Sequence, residues 1–147
     1  MKDGINIITT TKSRFYLKNR KYHRENGPAI SYSDGHTEYW LNGVIHREDG
    51  PAVIYKDGSQ RWVQNGDLHR IDGPACIYND GQEQWFRCGI YHREDGPAKI
   101  ILSETGYWLQ EYWLNGTHYP NIKNDVLWRI EVHRWKRNQI KNNKGKK

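Results

Sequence analysis

The chain has 147 residues, room for about one domain, and only 35% of them are apolar, with much of that weight in seven Trp, ten Tyr and two Phe. So few aliphatic residues exclude a broad apolar core, and no apolar run nears the ~18 residues that a transmembrane helix needs. The net charge of +6 is local: seven Lys and Arg follow Glu131, whereas the rest of the chain holds sixteen basic against seventeen acidic residues.

Residues 1–19 place Ile5, Ile7 and Thr9 at period two, which predicts a capping strand region. They contain no apolar stretch of ~7–15 residues before a small-residue cleavage site, so a secretory signal is not expected and a cytoplasmic location is. Residues 20–119 are a repeat domain. His23-Arg24-Glu25-Asn26-Gly27-Pro28-Ala29 recurs at His46–Ala52, His69–Ala75 and His92–Ala98, a period of 23 without drift. Asp34-Gly35, Asp57-Gly58 and Asp80-Gly81 follow in phase. An aromatic pair or near-pair then precedes Gly43, Gly66, Gly89 and Gly116.

Within a unit, Ala52-Val53-Ile54-Tyr55 is short and β-prone, Asp57-Gly58 is a turn signal, and Gln60-Arg61-Trp62-Val63 returns. Asn65-Gly66 and Gly73-Pro74 punctuate the connector between hairpins. In the last unit, the Gly96–Gly106 and Gly106–Gly116 spacings are each two residues longer than their counterparts. Adding two residues to each arm of a hairpin keeps every side chain on its own face. The fold expected is therefore mainly β: an elongated, twisted, single-layer antiparallel sheet of about five tandem hairpins, with a short C-terminal helix. Turns are expected near Asp34-Gly35, Asp57-Gly58, Asp80-Gly81 and Thr105-Gly106.

Residues 120–140 are expected to form that helix. Trp128, Val132 and Trp135 fall at i, i+4 and i+7, an apolar stripe that could cover the end of an open sheet. The same stretch also reads as a strand, with Val126, Trp128, Ile130 and Val132 alternating. Residues 141–147 are expected to be a basic, disordered tail.

The unit resembles MORN-type repeats: an aromatic, then Asn-Gly, then His two residues later, then Asp-Gly, as in Trp40, Asn42-Gly43, His46 and Asp57-Gly58. The resemblance spans roughly residues 14–118. It departs where the family usually has Gly after the His and this chain has Arg24, Arg47, Arg70 and Arg93. The Gly-Pro-Ala variant is similar to short repeat proteins of bacteria, their phages and large viruses. That similarity implies a protein-binding role as an inhibitor or antitoxin.

The aromatics are the main binding candidates. Tyr39, Trp62, Trp85 and Tyr112 alternate onto one face, and Trp40, Val63, Phe86 and Trp113 onto the other. The expected partner surface is the tryptophan row Trp40, Trp62, Trp85 and Trp113, with His46, His69 and His92 along its margin. Rungs of a repeat sheet stand ~9–10 Å apart, too far for equivalent His residues to share a metal ion. Structural connectors are the first reading of the four His. The Arg–acid pairs beside them read as exposed and weak, and the Gly before each Pro as occupying backbone closed to β-branched residues.

Cys76 and Cys88, with no CxxC, predict reduced thiols rather than a zinc site. No nucleophile–base pair or phosphate loop stands out, so catalytic residues, metals and cofactors are not expected. The function expected is non-catalytic recognition of a protein partner along the repeat face. Alternatives are nucleic-acid binding, with Arg134, Lys136, Arg137, Lys141, Lys144, Lys146 and Lys147 on phosphate and aromatics on bases, or a groove for a nucleotide-like small molecule.

Overall fold

The structure is a computed structural model that describes residues 4–144. It opens with β1 (Ile5–Thr9), β2 (Ser13–Lys18) and β3 (Lys21–Tyr22). Four units follow. The first holds β4 (Ile30–Tyr32), β5 (Thr37–Glu38), β6 (Trp40–Leu41) and β7 (Val44–Ile45); the second β8 (Val53–Ile54), β9 (Gln60–Arg61), β10 (Val63–Gln64) and β11 (Asp67–Leu68). The third holds β12 (Cys76–Ile77), β13 (Glu83–Gln84), β14 (Phe86–Arg87) and β15 (Ile90–Tyr91). The fourth holds β16 (Lys99–Leu102), β17 (Trp108–Glu111), β18 (Trp113–Leu114) and β19 (Thr117–His118), and helix α1 (Asp125–Lys144) closes the chain.

The protein is mainly β, a long antiparallel sheet of hairpin strands with one C-terminal helix. Sheet order is β1-β2-β4-β5-β8-β9-β12-β13-β16-β17, with β3 added beside β2. Hairpin turns fall at all four expected sites. Each is a residue longer than a two-residue turn: Gly58 donates to the Tyr55 carbonyl at φ +88°, and the Tyr55 amide reaches Ser59. This is a type I turn with a following left-handed glycine. The last hairpin carries the symmetrical extension, pairing Lys99↔Glu111, Ile100↔Gln110, Ile101↔Leu109 and Leu102↔Trp108, where β8–β9 pairs only two residues on each strand.

The Asn-Gly signals do more than punctuate connectors. Asn42 (φ 53°) and Gly43 (φ 84°) form a two-residue turn that joins β6 to β7. Both central residues need positive φ, the type I′ requirement that favours Asn-Gly. The same hairpin recurs as β10–β11, β14–β15 and β18–β19, so a second row runs beside the sheet instead of the single layer expected. Tyr39 joins the two rows: its amide donates to the Ala52 carbonyl in the sheet, and its own carbonyl accepts from His46 in the small hairpin. Trp62 and Trp85 repeat this. Ala29, Ala52, Ala75 and Ala98 sit at this junction with 0% exposure, which leaves no volume for a larger side chain.

The core is a chain of small clusters rather than one mass. Phe86 and Tyr91 pack with ring centroids 4.1 Å apart and planes tilted by 31°, in one cluster with Cys76, Ala75 and Leu68. At the C-terminal end Trp128 and Val132 of α1 close on Tyr112 and Leu114. The helix reading of the Trp128–Val132–Trp135 stripe is the one realised, and α1 is longer than expected. It runs through residues 141–144, which the sequence assigned to a disordered tail. Lys146 and Lys147 lie outside the described residues. The N-terminal region is a full hairpin, β1–β2, rather than a single strand.

Candidate functional site

Each connector is built around its arginine. In three units Arg Nε donates to the Asp two residues on: Arg47 to Asp49 at 2.8 Å, Arg70 to Asp72 at 3.1 Å, Arg93 to Asp95 at 2.7 Å. Nη1 donates to the Pro carbonyl four residues on, at 3.1–3.3 Å in all four units. The guanidinium lies flat on the aromatic ring eight residues back, 4.0 Å over Tyr16, Tyr39 and Trp62, and 3.8 Å over Trp85. Beneath it sits the connector glycine. A Cβ on Gly50 would stand 2.9 Å from Arg47 Cζ, and one on Gly73 2.8 Å from Arg70 Cζ.

This corrects two expectations. The Arg–acid pair is one part of a fork that also stacks and grips backbone, not a loose surface contact. Gly27, at φ +128°, does occupy backbone that L side chains rarely adopt, whereas Gly50, Gly73 and Gly96 have no positive φ and instead face the guanidinium. The arginine beside each carboxylate holds Asp49, Asp72 and Asp95 below the usual carboxylate range.

Each connector histidine reaches forward into the next unit. His23 Nδ1 accepts the Asn42 amide at 3.0 Å, His46 the Asn65 amide at 3.1 Å, His69 the Cys88 amide at 3.1 Å and His92 the Asn115 amide at 3.2 Å. An accepting Nδ1 leaves the proton on Nε2, which faces Glu25, Glu48 or Glu94 at 3.6 Å. In the third connector Ile71 takes the glutamate's place. Burial, with Arg87 nearby, pushes the His92 pKa below its ordinary value.

Between successive connectors the surface opens into clefts of 720, 550 and 470 Å³. Each has the same frame: the stacked aromatic (Tyr39, Trp62 or Trp85), the following His-Arg, and connector carboxylates on both rims. The rims vary, with Asn26 where later connectors have Asp and Ile71 where the others have Glu, and the position two places after the aromatic changes in every cleft, Leu41 in the first, Gln64 in the second and Arg87 in the third. These last three residues escaped the sequence reading. Their signal was available: they change from unit to unit at a fixed place in the 23-residue repeat.

The seven candidate binding residues divide. Trp62, Trp85, His46, His69 and His92 line the clefts. Trp40 and Trp113 do not join them, so the four tryptophans are not one row. Trp40 packs against Tyr22 at 5.6 Å and donates Nε1 to Glu38 at 2.7 Å. Trp113 lies between Tyr91 at 5.2 Å and His118 at 4.5 Å and donates Nε1 to Glu111. The two sets belong to the two faces that strand alternation assigns them.

Of the basic candidates on α1, Lys136 is held by Glu94 at 2.7 Å and Arg134 by Glu131 at 2.6 Å, while Arg137 and Lys141 are exposed. The Lys136 ammonium lowers the Glu94 pKa. No helix among the described residues is long and apolar enough to cross a membrane. No group of three or more His, Cys, Asp or Glu side chains among them is placed to hold a metal ion. No protein-family model matches the chain, and no curated protein matches it.

Proposed function

We propose that this is a non-catalytic recognition protein that takes a protein partner along its row of connector clefts. The observation that supports it is a repeated frame of stacked aromatic, His and Arg whose other lining residues change from cleft to cleft. Tyr39, Trp62 and Trp85 with their stacked arginines repeat the same rigid wall, and Leu41, Gln64 and Arg87 give successive clefts an apolar, an amide and a cationic floor. A partner lying across three clefts would be read in sequence, with specificity drawn from side chains that do not hold the fold. Stacked aromatics and arginines supply the residue types that dominate interface energies. The inhibitor or antitoxin role that the resemblance implies is one form of such recognition. Two thiols left unpaired, Cys76 and Cys88, favour a reducing, intracellular setting.

The test is a photo-crosslinking residue placed at Gln64 in the native cell, followed by affinity measurements on the captured partner. Gln64→Lys and Ile71→Lys should lower that affinity at least tenfold with an unchanged melting temperature, since Ile71 lines the same cleft and is 73% exposed. Loss of binding on removing residues 137–147, with both cleft variants unaffected, would move the function to the basic helix and nucleic acid.

A further inference from the structure

We infer that the sheet of one copy continues into the sheet of a second copy, the open edge of β17 pairing with the open edge of β1 of the next chain. This goes beyond partner recognition in the clefts and uses neither them nor their residues.

Direction comes first. Neighbouring strands are antiparallel throughout the sheet order, so β1 runs the same way as β16 and opposite to β17. Units are joined inside the chain by the same relationship, β5 to β8, β9 to β12 and β13 to β16. A second copy's β1 therefore takes the place of the first strand of a further unit.

Length comes next. The interior hairpins β4–β5, β8–β9 and β12–β13 each pair two residues per strand, but the two end hairpins are longer. β1–β2 pairs five residues and β16–β17 pairs four. The two-residue extension of each arm thus falls only on the unit that ends the sheet, where its partner strand would be the long β1.

Edge chemistry is the third observation. Natural edge strands are blunted by charge, proline or bulges. Strand β1 contains no Lys, Arg, Asp, Glu or Pro, and the one charge on β17, Glu111, is paired with Lys99 of β16 at 2.9 Å. Ile7 is 58% exposed on β1, and Trp108 and Leu109 are 51% and 47% exposed on β17. Helix α1 covers Tyr112 and Leu114 and leaves Tyr107–Gln110 uncovered. Pairing β17 with β1 satisfies both edges by one kind of contact, whereas pairing either strand with itself leaves the other open. The contact is head-to-tail and propagates.

The test is sedimentation equilibrium on the full chain over a dilution series. The mass should exceed that of one chain and rise with concentration. Ile7→Lys and Leu109→Lys should each return it to a single chain, with unchanged circular dichroism and melting. If either lysine unfolds the protein, Thr9→Lys and Gln110→Lys replace them. Mixed in equal amounts, the two variants should form a complex of two chains and nothing larger, because each supplies the edge the other lacks. A wild-type monomer at every concentration overturns the inference. So does an assembly that survives either single substitution, since that assembly uses one edge twice or another surface.

Discussion

A methyl group on Gly73 would stand 2.8 Å from the Cζ of Arg70. The guanidinium has nowhere convenient to go, because Trp62 lies 4.0 Å on its other side and Asp72 and the Pro74 carbonyl hold its nitrogens. Gly73→Ala should therefore cost ~1–3 kcal/mol, the range for overpacking. Arg70→Ala should cost about as much, since it removes a stacked cation and a backbone grip. The double variant should be less destabilised than the sum of the two, by ~1 kcal/mol or more. Chemical denaturation of the four proteins measures this, and strict additivity would dissociate the glycine from the arginine.

Cys88 holds a backbone position, φ 49°, that Asn42, Asn65 and Asn115 hold in the other units. Asn tolerates the left-handed region better than Cys. Cys88→Asn should stabilise the protein by ~0.5–1 kcal/mol. A lower melting temperature would mean the thiol contributes something the asparagines do not.

The hairpins, their register and the end helix were legible because each leaves a local trace: Asp57-Gly58 at a turn, two residues added to both arms near Thr105, and Trp128, Val132 and Trp135 at helical spacing. Asn42-Gly43 left one too, and its reading as a connector overlooked that Trp40-Leu41 and Val44-Ile45 flank it as strands. The histidine role left none. His46 and Asn65 are nineteen residues apart, and nothing in either residue names the other. The connector glycines were legible as necessary but not for the right reason, because the atom that excludes a side chain belongs to the folded Arg47. The tryptophans misled by residue type: Trp40 and Trp62 look alike, yet one residue of phase puts them on opposite faces.

Stability should fall with acid earlier than carboxylates alone require. The folded-state pKa of His92 lies below the ordinary 6.5, chiefly from burial. A depressed histidine favours the unfolded chain once protons are available. Its contribution is complete above pH 6.5 and is lost as pH falls through the lower folded value. Protonation of Nδ1 also removes the acceptor of the Asn115 amide. Melting temperature should be level above the ordinary histidine range and decline as pH falls below it, before Asp49, Asp72 and Asp95 titrate. His92→Gln should melt lower at neutral pH but lose less over that interval. An equal slope in both proteins would place the titration elsewhere.

Trp128 has 0% exposure and packs on Tyr112 at 5.1 Å, where earlier units set an arginine on the equivalent ring. Trp128→Ala should cost ~3–5 kcal/mol, read as loss of helical circular dichroism ahead of the sheet signal. Burial of its ring, together with the hydrogen bond it donates to Asp125, pushes the Tyr112 pKa up to about 12. An ultraviolet titration of the wild type should therefore show a phenol ionising near pH 12, and that component should move to lower pH in the variant.

The forward reach of each histidine has an order in time as well as in space. On the ribosome, His23 is laid down nineteen residues before the amide of Asn42 emerges to meet it; His46 and His69 precede Asn65 and Cys88 by the same nineteen, and His92 precedes Asn115 by 23. Every new turn arrives at an acceptor that already exists, and none waits for residues still to be translated. Growth can thus proceed one unit at a time, like courses of brick set on the course below, until α1 is laid across the top.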